Sequence, residues 1–337
     1  MMSRLLLSPG GGLSDRPVMD ITRWTQPLSR RALPRPNLVY FLWRFVANGR
    51  RTLGAVTMRH LYGDARITGR ELRDQGIVVA TSETLLTDVG RRALDEASAR
   101  VLETSRGERV QSIIAGTGDG SKRKKDYLVD LVSYPHGMSG DDPLLKVALD
   151  RKLLEIVSAY LGLWPRLHSI SAWLNFPTDA PAELSQLWHR DPEDLKLIKV
   201  FVYLTDVDER SGPFTYIPRT HPFGAVTASG QGGVGEKRVD DDRMATRFPP
   251  ASWRVCTGPP NTMILADTVG FHRGGKPTAG QRILITFTYT SGSPIAKRKL
   301  RIRGTPAWAS SPIQQFAAAS SVESPPAGSR KTKGSRQ

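Results

Sequence analysis

Cysteine is almost missing from this chain: Cys256 stands alone among 337 residues. That excludes a disulfide framework and fits a reducing compartment, so a cytoplasmic location is expected. No stretch approaches the roughly 18 uninterrupted apolar residues of a membrane span. The first nine residues hold one Arg and only Leu5-Leu6-Leu7, too short an apolar core for a secretory signal. What is present is an ordinary globular composition, 39% hydrophobic and 24% charged, in a chain long enough to bury a sizeable core.

Acidic residues are scarce at both ends. The net charge is +16, yet residues 1–70 carry 12 Arg against 3 Asp, and residues 297–337 carry 9 basic residues against Glu323 alone. The span 71–296 nearly balances, with 27 basic and 28 acidic residues. The body is therefore close to neutral and the basicity lies in its flanks. No nucleic-acid recognition motif accompanies the charge, so no specific nucleic-acid partner is expected. The flanks read as solvated tails, with contact to an anionic membrane surface or to nucleic acid as the sharper alternatives.

Residues 1–36 are rich in Pro, Gly, Ser and Arg without a period and read as a flexible segment. Residues 37–70 form a basic, amphipathic helical segment, with Leu38, Phe41, Leu42, Phe45 and Val46 at helical spacing and Arg44, Arg50, Arg51 and Arg59 interleaved. Such a helix either packs on the domain, sits in a dimer contact, or lies on a membrane interface. Gly76–Ala80 reads as a buried strand, followed by a helix capped by Ser82 and running to about Glu103. Gly116–Lys125 reads as an exposed turn, and Pro143–Leu161 as one helix bounded by Asp142-Pro143 and Gly162.

The texture then changes to short strands punctuated by Gly and Pro: His168–Phe176, Lys196–Thr205, Phe214–Ile217, Trp253–Thr257, Thr262–Ala266 and Arg282–Thr290. Helices followed by many strands imply an α+β, mainly β architecture, a β-sandwich braced by helices over residues 71–296. The aperiodic stretch between His221 and Pro250 is too long for a plain connection and reads as functional or disordered. Residues 297–337 form a basic tail, disordered after Gly304.

One constellation carries chemistry. Trp188-His189-Arg190-Asp191 places an imidazole and a carboxylate two positions apart, and such residues share a face at an extended strand end. His272, in Phe271-His272-Arg273-Gly274, is the third candidate ligand. Two histidines and one carboxylate suit Fe(II) and, less selectively, Zn, Ni or Co. His-x-Asp alone is common, and a His beside a Gly-rich loop is often only hydrogen-bonded.

The surroundings sharpen this. Trp188-His189-Arg190-Asp191, Tyr203-Leu204-Thr205-Asp206-Val207-Asp208, Ser211-Gly212-Pro213-Phe214-Thr215-Tyr216-Ile217-Pro218-Arg219-Thr220-His221 and Phe271-His272-Arg273-Gly274 together resemble the phytanoyl-CoA dioxygenase family. The resemblance covers about residues 76–292 and is strongest over 186–290. It implies a double-stranded β-helix (a jelly roll), Fe(II), 2-oxoglutarate and O2, and hydroxylation of an unactivated C–H bond of a small-molecule or lipid-like substrate. His189, Asp191 and His272 match its metal ligands. Arg282 matches the arginine that pairs with the 2-oxoglutarate carboxylate, a role suited to a planar, two-pronged cation. Phe201 falls where the family places an aromatic against the cosubstrate.

If Phe201 faces the interior, strand alternation turns Lys199 and Tyr203 inward too, and Val200, Val202 and Leu204 to the other layer. An inward lysine needs an anion, so Lys199 is a candidate for 2-oxoglutarate or an acidic substrate group, or else pairs with an Asp. Asn175 is a further polar candidate. Relatives that halogenate lack the carboxylate, so Asp191 favours hydroxylation, and residues 222–250 are the natural lid. The family's usual Pro-Gly-Ser-His is here Pro218-Arg219-Thr220-His221, a departure at a turn. A cupin-like metal- or ligand-binding module, an inactive relative acting as an interaction protein, and a zinc hydrolase or isomerase on the same fold are the competing readings.

Overall fold

The structure is a computed structural model and describes residues 36–117, 126–134, 136–228, 237–298, 300–303 and 306–319. In chain order its strands are β1 (Ile77–Thr81), β2 (Leu128–Asp130), β3 (Met138–Ser139), β4 (Arg166–Asn175), β5 (Ile198–Tyr203), β6 (Phe214–Tyr216), β7 (Arg254–Cys256), β8 (Thr262–Ala266), β9 (His272–Gly274), β10 (Arg282–Thr290) and β11 (Ile302–Arg303). Six form one antiparallel sheet in the order β1-β8-β5-β10-β4-β2, and three form a second in the order β7-β6-β9. The short parallel pair β3–β11 lies apart from both.

Period-two alternation sorts the central strands between two cores. Ile283, Ile285, Phe287 and Tyr289 of β10, with Val200 and Val202 of β5, join one large cluster with Leu94, Val157 and Leu161 from the helices. Leu284 and Tyr203 face the other way, packing with Phe214, Tyr216, Ile264 and Ala266, with Phe201 against them. Every residue of β10 is buried, as a central strand covered on both faces requires. Phe287 is fully buried, worth about 2–3 kcal/mol of apolar transfer. The interior expected on the Phe201 side is thus the space between the two sheets, and Lys199 and Tyr203 share it through the alternation of β5.

The helices differ in detail from expectation. The span from Ser82 breaks into Ser82–Leu85 and Asp88–Arg106, because Thr87, not Ser82, caps the longer helix through its hydroxyl on the Gly90 N–H. Pro143–Leu161 is likewise two helices, Pro143–Ala148 and Arg151–Leu161, each with its own aspartate cap, Asp142 and Asp150. The tail expected to be disordered carries a helix over Pro312–Ala318, started by a Ser311–Gln314 capping box and burying Ile313, Ala317 and Ala318. The expectations for residues 1–35, 118–125 and 320–337 lie outside the described residues.

Residues 36–62 are helical but irregular, with a π-helical turn over Leu42–Ala47 between Pro36–Phe41 and Gly49–Met58. Trp43, Thr52, Ala55 and Tyr62 turn inward, and the Trp43 Nε1–H donates to Asp194 Oδ1 at 2.9 Å. Arg51 clamps the same segment to the Trp164, Pro165 and Phe316 carbonyls. Leu38, Phe41, Leu42, Phe45 and Val46, the stripe legible in the sequence, face out. No described helix is long and apolar enough to cross a membrane.

Candidate metal centre

The histidines meet because their backbones pair. His189 N–H donates to the His272 carbonyl at 2.9 Å and His272 N–H to the His189 carbonyl at 3.1 Å, which adds residue 189 to the free side of β9. The two rings stand 4.3 Å apart. Asp191 is fixed separately, its N–H donating to the Thr268 carbonyl at 2.8 Å. One ligand atom from each of His189, Asp191 and His272 lies within 4.8 Å of the other two.

The ring orientations follow from the second nitrogen. His189 Nδ1 lies 2.8 Å from the Leu187 carbonyl and His272 Nδ1 3.0 Å from the Gly270 carbonyl. A carbonyl oxygen only accepts, so Nδ1 of each neutral ring carries the proton and Nε2 keeps its lone pair. Both Nε2 atoms point at Asp191, at 3.7 Å from Oδ1 for His189 and 3.3 Å from Oδ2 for His272. Burial, with help from His272, pushes the His189 imidazole down to about 3, so the ring is neutral at physiological pH. Burial works to raise the Asp191 carboxyl, but Lys199 and the two histidines outweigh it and hold the group well below the usual carboxylate range. A neutral His189 imidazole beside an ionised carboxylate is a pairing of protonation states that a divalent cation takes up without expelling protons there.

Lys199 is where the sequence left two options, and the structure forms the carboxylate pair. Its ammonium lies 2.6 Å from Asp191 Oδ2 and 3.2 Å from Glu193 Oε1. It neutralises the carboxylate side of the cluster and holds Asp191 through Oδ2, the oxygen that His272 Nε2 also faces. Glu193 was not singled out from the sequence, although it continues the alternation His189, Asp191, Glu193, and that spacing was its available signal.

Arg282 opens β10 directly opposite Asn175 of β4, and both are buried. Its Nε and Nη1 have no hydrogen-bond partner, and no described carboxylate pairs with it. A buried guanidinium without an acceptor costs several kcal/mol, on the order of 3, so such a group marks a place for an anion. Gly274, two residues beyond His272, lies against it: a Cβ there would come within 3.2 Å of Arg282 Nη2. The orphaned cation is therefore cradled by the strand that carries a metal-ligand candidate. Gly274 is a second residue that sequence reasoning missed. Phe201 stacks on Phe214 at 4.5 Å between centroids, and Phe214 lies 5.6 Å from His272, so the Phe201 ring is one aromatic removed from the cluster.

The described parts of the stretch 222–250 pack beside the centre. Val239 pairs with Trp188 in both backbone directions, and Met244 and Phe248 join Trp188, Ile217 and Phe271 in one cluster. Arg273 pairs with Asp241 at 3.0 Å and lies over the Trp188 and Trp253 rings. A cavity of about 670 Å³ runs beneath this stretch, lined by Ile217, Arg219, Val226, Arg247 and Phe248, among others. Residues 229–236 lie outside the described residues.

No family model matches the chain, and no curated protein matches it. Solved structures do resemble it. The epimerase SnoN, in complex with Fe3+, alpha ketoglutarate and nogalamycin RO, is 16% identical over 69% of this chain and 86% of its own, with a TM-score of 0.45. EctD from S. alaskensis, with 2-oxoglutarate and 5-hydroxyectoine, is 18% identical over 69% and 77%, with a TM-score of 0.43. The non-heme alpha ketoglutarate dependent carbocyclase SnoK from nogalamycin biosynthesis is 18% identical over 68% and 85%, with a TM-score of 0.45. These are the chain's structural likenesses; what its site can do follows from its own side chains.

Proposed function

We propose that this chain is an Fe(II)- and 2-oxoglutarate-dependent dioxygenase that hydroxylates an unactivated C–H bond of a small or lipid-like molecule. The observation that carries the reading is Arg282: a buried, unpartnered guanidinium held against β9 two residues from His272. A metal-binding module has no use for such a cation, whereas a dicarboxylate bound at the metal through one end presents its other end to it. The two facing sheets, with residue 189 beside β9, support reading the architecture as a double-stranded β-helix.

In this reading His189 and His272 offer Nε2, and Asp191 offers its carboxylate, on one face of Fe(II). The bound iron and 2-oxoglutarate, with O2, supply an oxidant strong enough to break a C–H bond. The chain's own residues do the rest. The Leu187 and Gly270 carbonyls hold the imidazole tautomers, and Lys199 keeps Asp191 ionised and oriented. Arg282 takes the far carboxylate, with Asn175 beside it across the ladder, and the Phe201–Phe214 pair keeps water out of the inter-sheet space. Asp191 occupies a position that a halogenase would leave to halide, which favours hydroxylation.

Anaerobic titration of the Fe(II)-loaded protein with 2-oxoglutarate should give a visible charge-transfer band, and aerobic turnover should release succinate. Arg282→Ala should weaken 2-oxoglutarate binding by about 30-fold or more while Fe(II) still binds, the cost of leaving one member of a buried charge pair alone. His272→Ala should lose Fe(II) itself. No band, or a band that Arg282→Ala leaves unchanged, would reject the cosubstrate assignment and leave a metal-binding module.

A further inference from the structure

The outward face of the N-terminal helices is the largest feature that the metal centre does not account for. Phe41 and Leu42 are 52% and 47% exposed, Phe45 and Val46 46% and 71%, and about two to three turns on Leu53 and Val56 are 65% and 52%. Phe41 and Phe45 touch each other, at 4.9 Å between centroids, and the Arg44 guanidinium lies 5.1 Å from the Phe45 ring centre. The same segment's opposite side is firmly anchored through Trp43, Asn48 and Arg51 to Asp194, Gly292 and the Trp164 carbonyl. The apolar stripe is therefore held in place facing away from the core, as a docked helix would not hold it without a partner.

Charge decides what the partner is. Arg50 and Arg59 are exposed along the same stretch of chain, and no acidic residue occurs between Asp20 and Asp64. Two copies meeting through this face would set arginine against arginine with no carboxylate from that span to pair across, which disfavours a symmetric dimer. Large apolar side chains interleaved with arginine match a surface that is anionic outside and hydrocarbon beneath. We infer that the face formed by Phe41, Leu42, Phe45 and Val46, with the arginines that flank it, docks the protein on an anionic membrane surface.

The face continues toward the metal centre. Phe223, itself 47% exposed, packs edge-on against Tyr40 at 4.7 Å. It stands two residues past His221, at the start of the stretch that reaches Trp188 through Val239. Docking by residues 38–56 therefore sets Phe223 against the bilayer as well. The inference rests on the exposed face and its charge, and it stands whatever the metal centre catalyses.

The test uses the full chain and two kinds of vesicle, phosphatidylcholine alone and phosphatidylcholine with about one-third phosphatidylserine. Co-sedimentation with the anionic vesicles is expected, weakening with salt, and little with the neutral ones. Arg50→Ala with Arg59→Ala should lower the partition coefficient by about 30-fold, and Phe41→Ser with Phe45→Ser by at least about tenfold. Both double variants change exposed side chains and should keep the parent's thermal midpoint. Absent partition, equal partition on both vesicles, or partition that both variants leave unchanged overturns the inference. So does a vesicle-free dimer, seen by sedimentation velocity, that Phe41→Ser with Phe45→Ser dissolves, because the face would then belong to a second copy.

Discussion

Arg219 and Arg282 show how differently two arginines can behave in one fold. Arg282 was legible as a candidate anion anchor through the family resemblance, and its orphaned Nε and Nη1 are what only packing reveals. Arg219 was legible as a departure from a glycine-bearing turn, and the structure gives the reason it matters. Its φ is +66°, the left-handed region, and its side chain only grazes Asp74 at 3.8 Å on the surface. A residue bearing a Cβ costs about 1 kcal/mol there, and an exposed ion pair that long returns next to nothing. Arg219→Gly should therefore raise the unfolding free energy by about 1 kcal/mol in urea titration, with an unchanged m-value. A fall in stability would mean that the guanidinium matters more than the backbone.

Among the elements, the strands were the readable part and the helix interruptions were not. The strands carry two-residue alternation between two cores, and alternation is a local property of sequence. The breaks after Leu86 and Leu149 depend on Asp150. Its Oδ1 caps Arg151–Leu161 by accepting the Leu153 N–H at 3.1 Å. Its Oδ2 reaches back to the Thr87 hydroxyl and accepts the Thr87 N–H at 3.2 Å. One carboxylate thus starts one helix and fixes the start of another 63 positions away in the chain. Asp150→Ala should cost about 2–3 kcal/mol, a lost cap plus buried donors left unmet, read as a lower thermal midpoint. The packed helix Pro312–Ala318 was hidden for a related reason. Seven residues of mixed composition carry no strong period, and helix α-propensity at that length is decided by what the helix packs on.

At the scale of the whole molecule, Asp194 ties distant parts together. It accepts from Trp43 Nε1, the Leu195 N–H and the Ser291 N–H, joining the N-terminal helices to the end of β10. Burial nevertheless pushes its carboxyl up to about 6. A folded-state pKa above the unfolded value of 3.8 means the folded form prefers the protonated acid. The stability this gives is full below the unfolded pKa and is lost as pH rises through about 6, by about 3 kcal/mol at most. Asp194→Asn cannot ionise, so relative to the parent it should gain stability between pH 5 and pH 7 in paired thermal melts. A constant difference across that range would show that the aspartate keeps its charge at no cost.

The sequence by itself determined the candidate ligand types and their order, His189, Asp191 and then His272, the strand that carries Phe201, Lys199 and Tyr203 inward, and the basic character of the flanks. Each of these is a matter of residue type and short-range period, which backbone geometry translates directly into direction. Tertiary structure decided who meets whom. Lys199 lies on Asp191 and Glu193, Gly274 lies against Arg282, and Trp43 buries itself on Asp194 while Phe41, Leu42, Phe45 and Val46 stay outside. The stripe at positions 38–46 looks the same in sequence whether it covers a core or meets a membrane. Periodicity defines a face, and only the packing of residues far apart in the chain settles which face is turned inward.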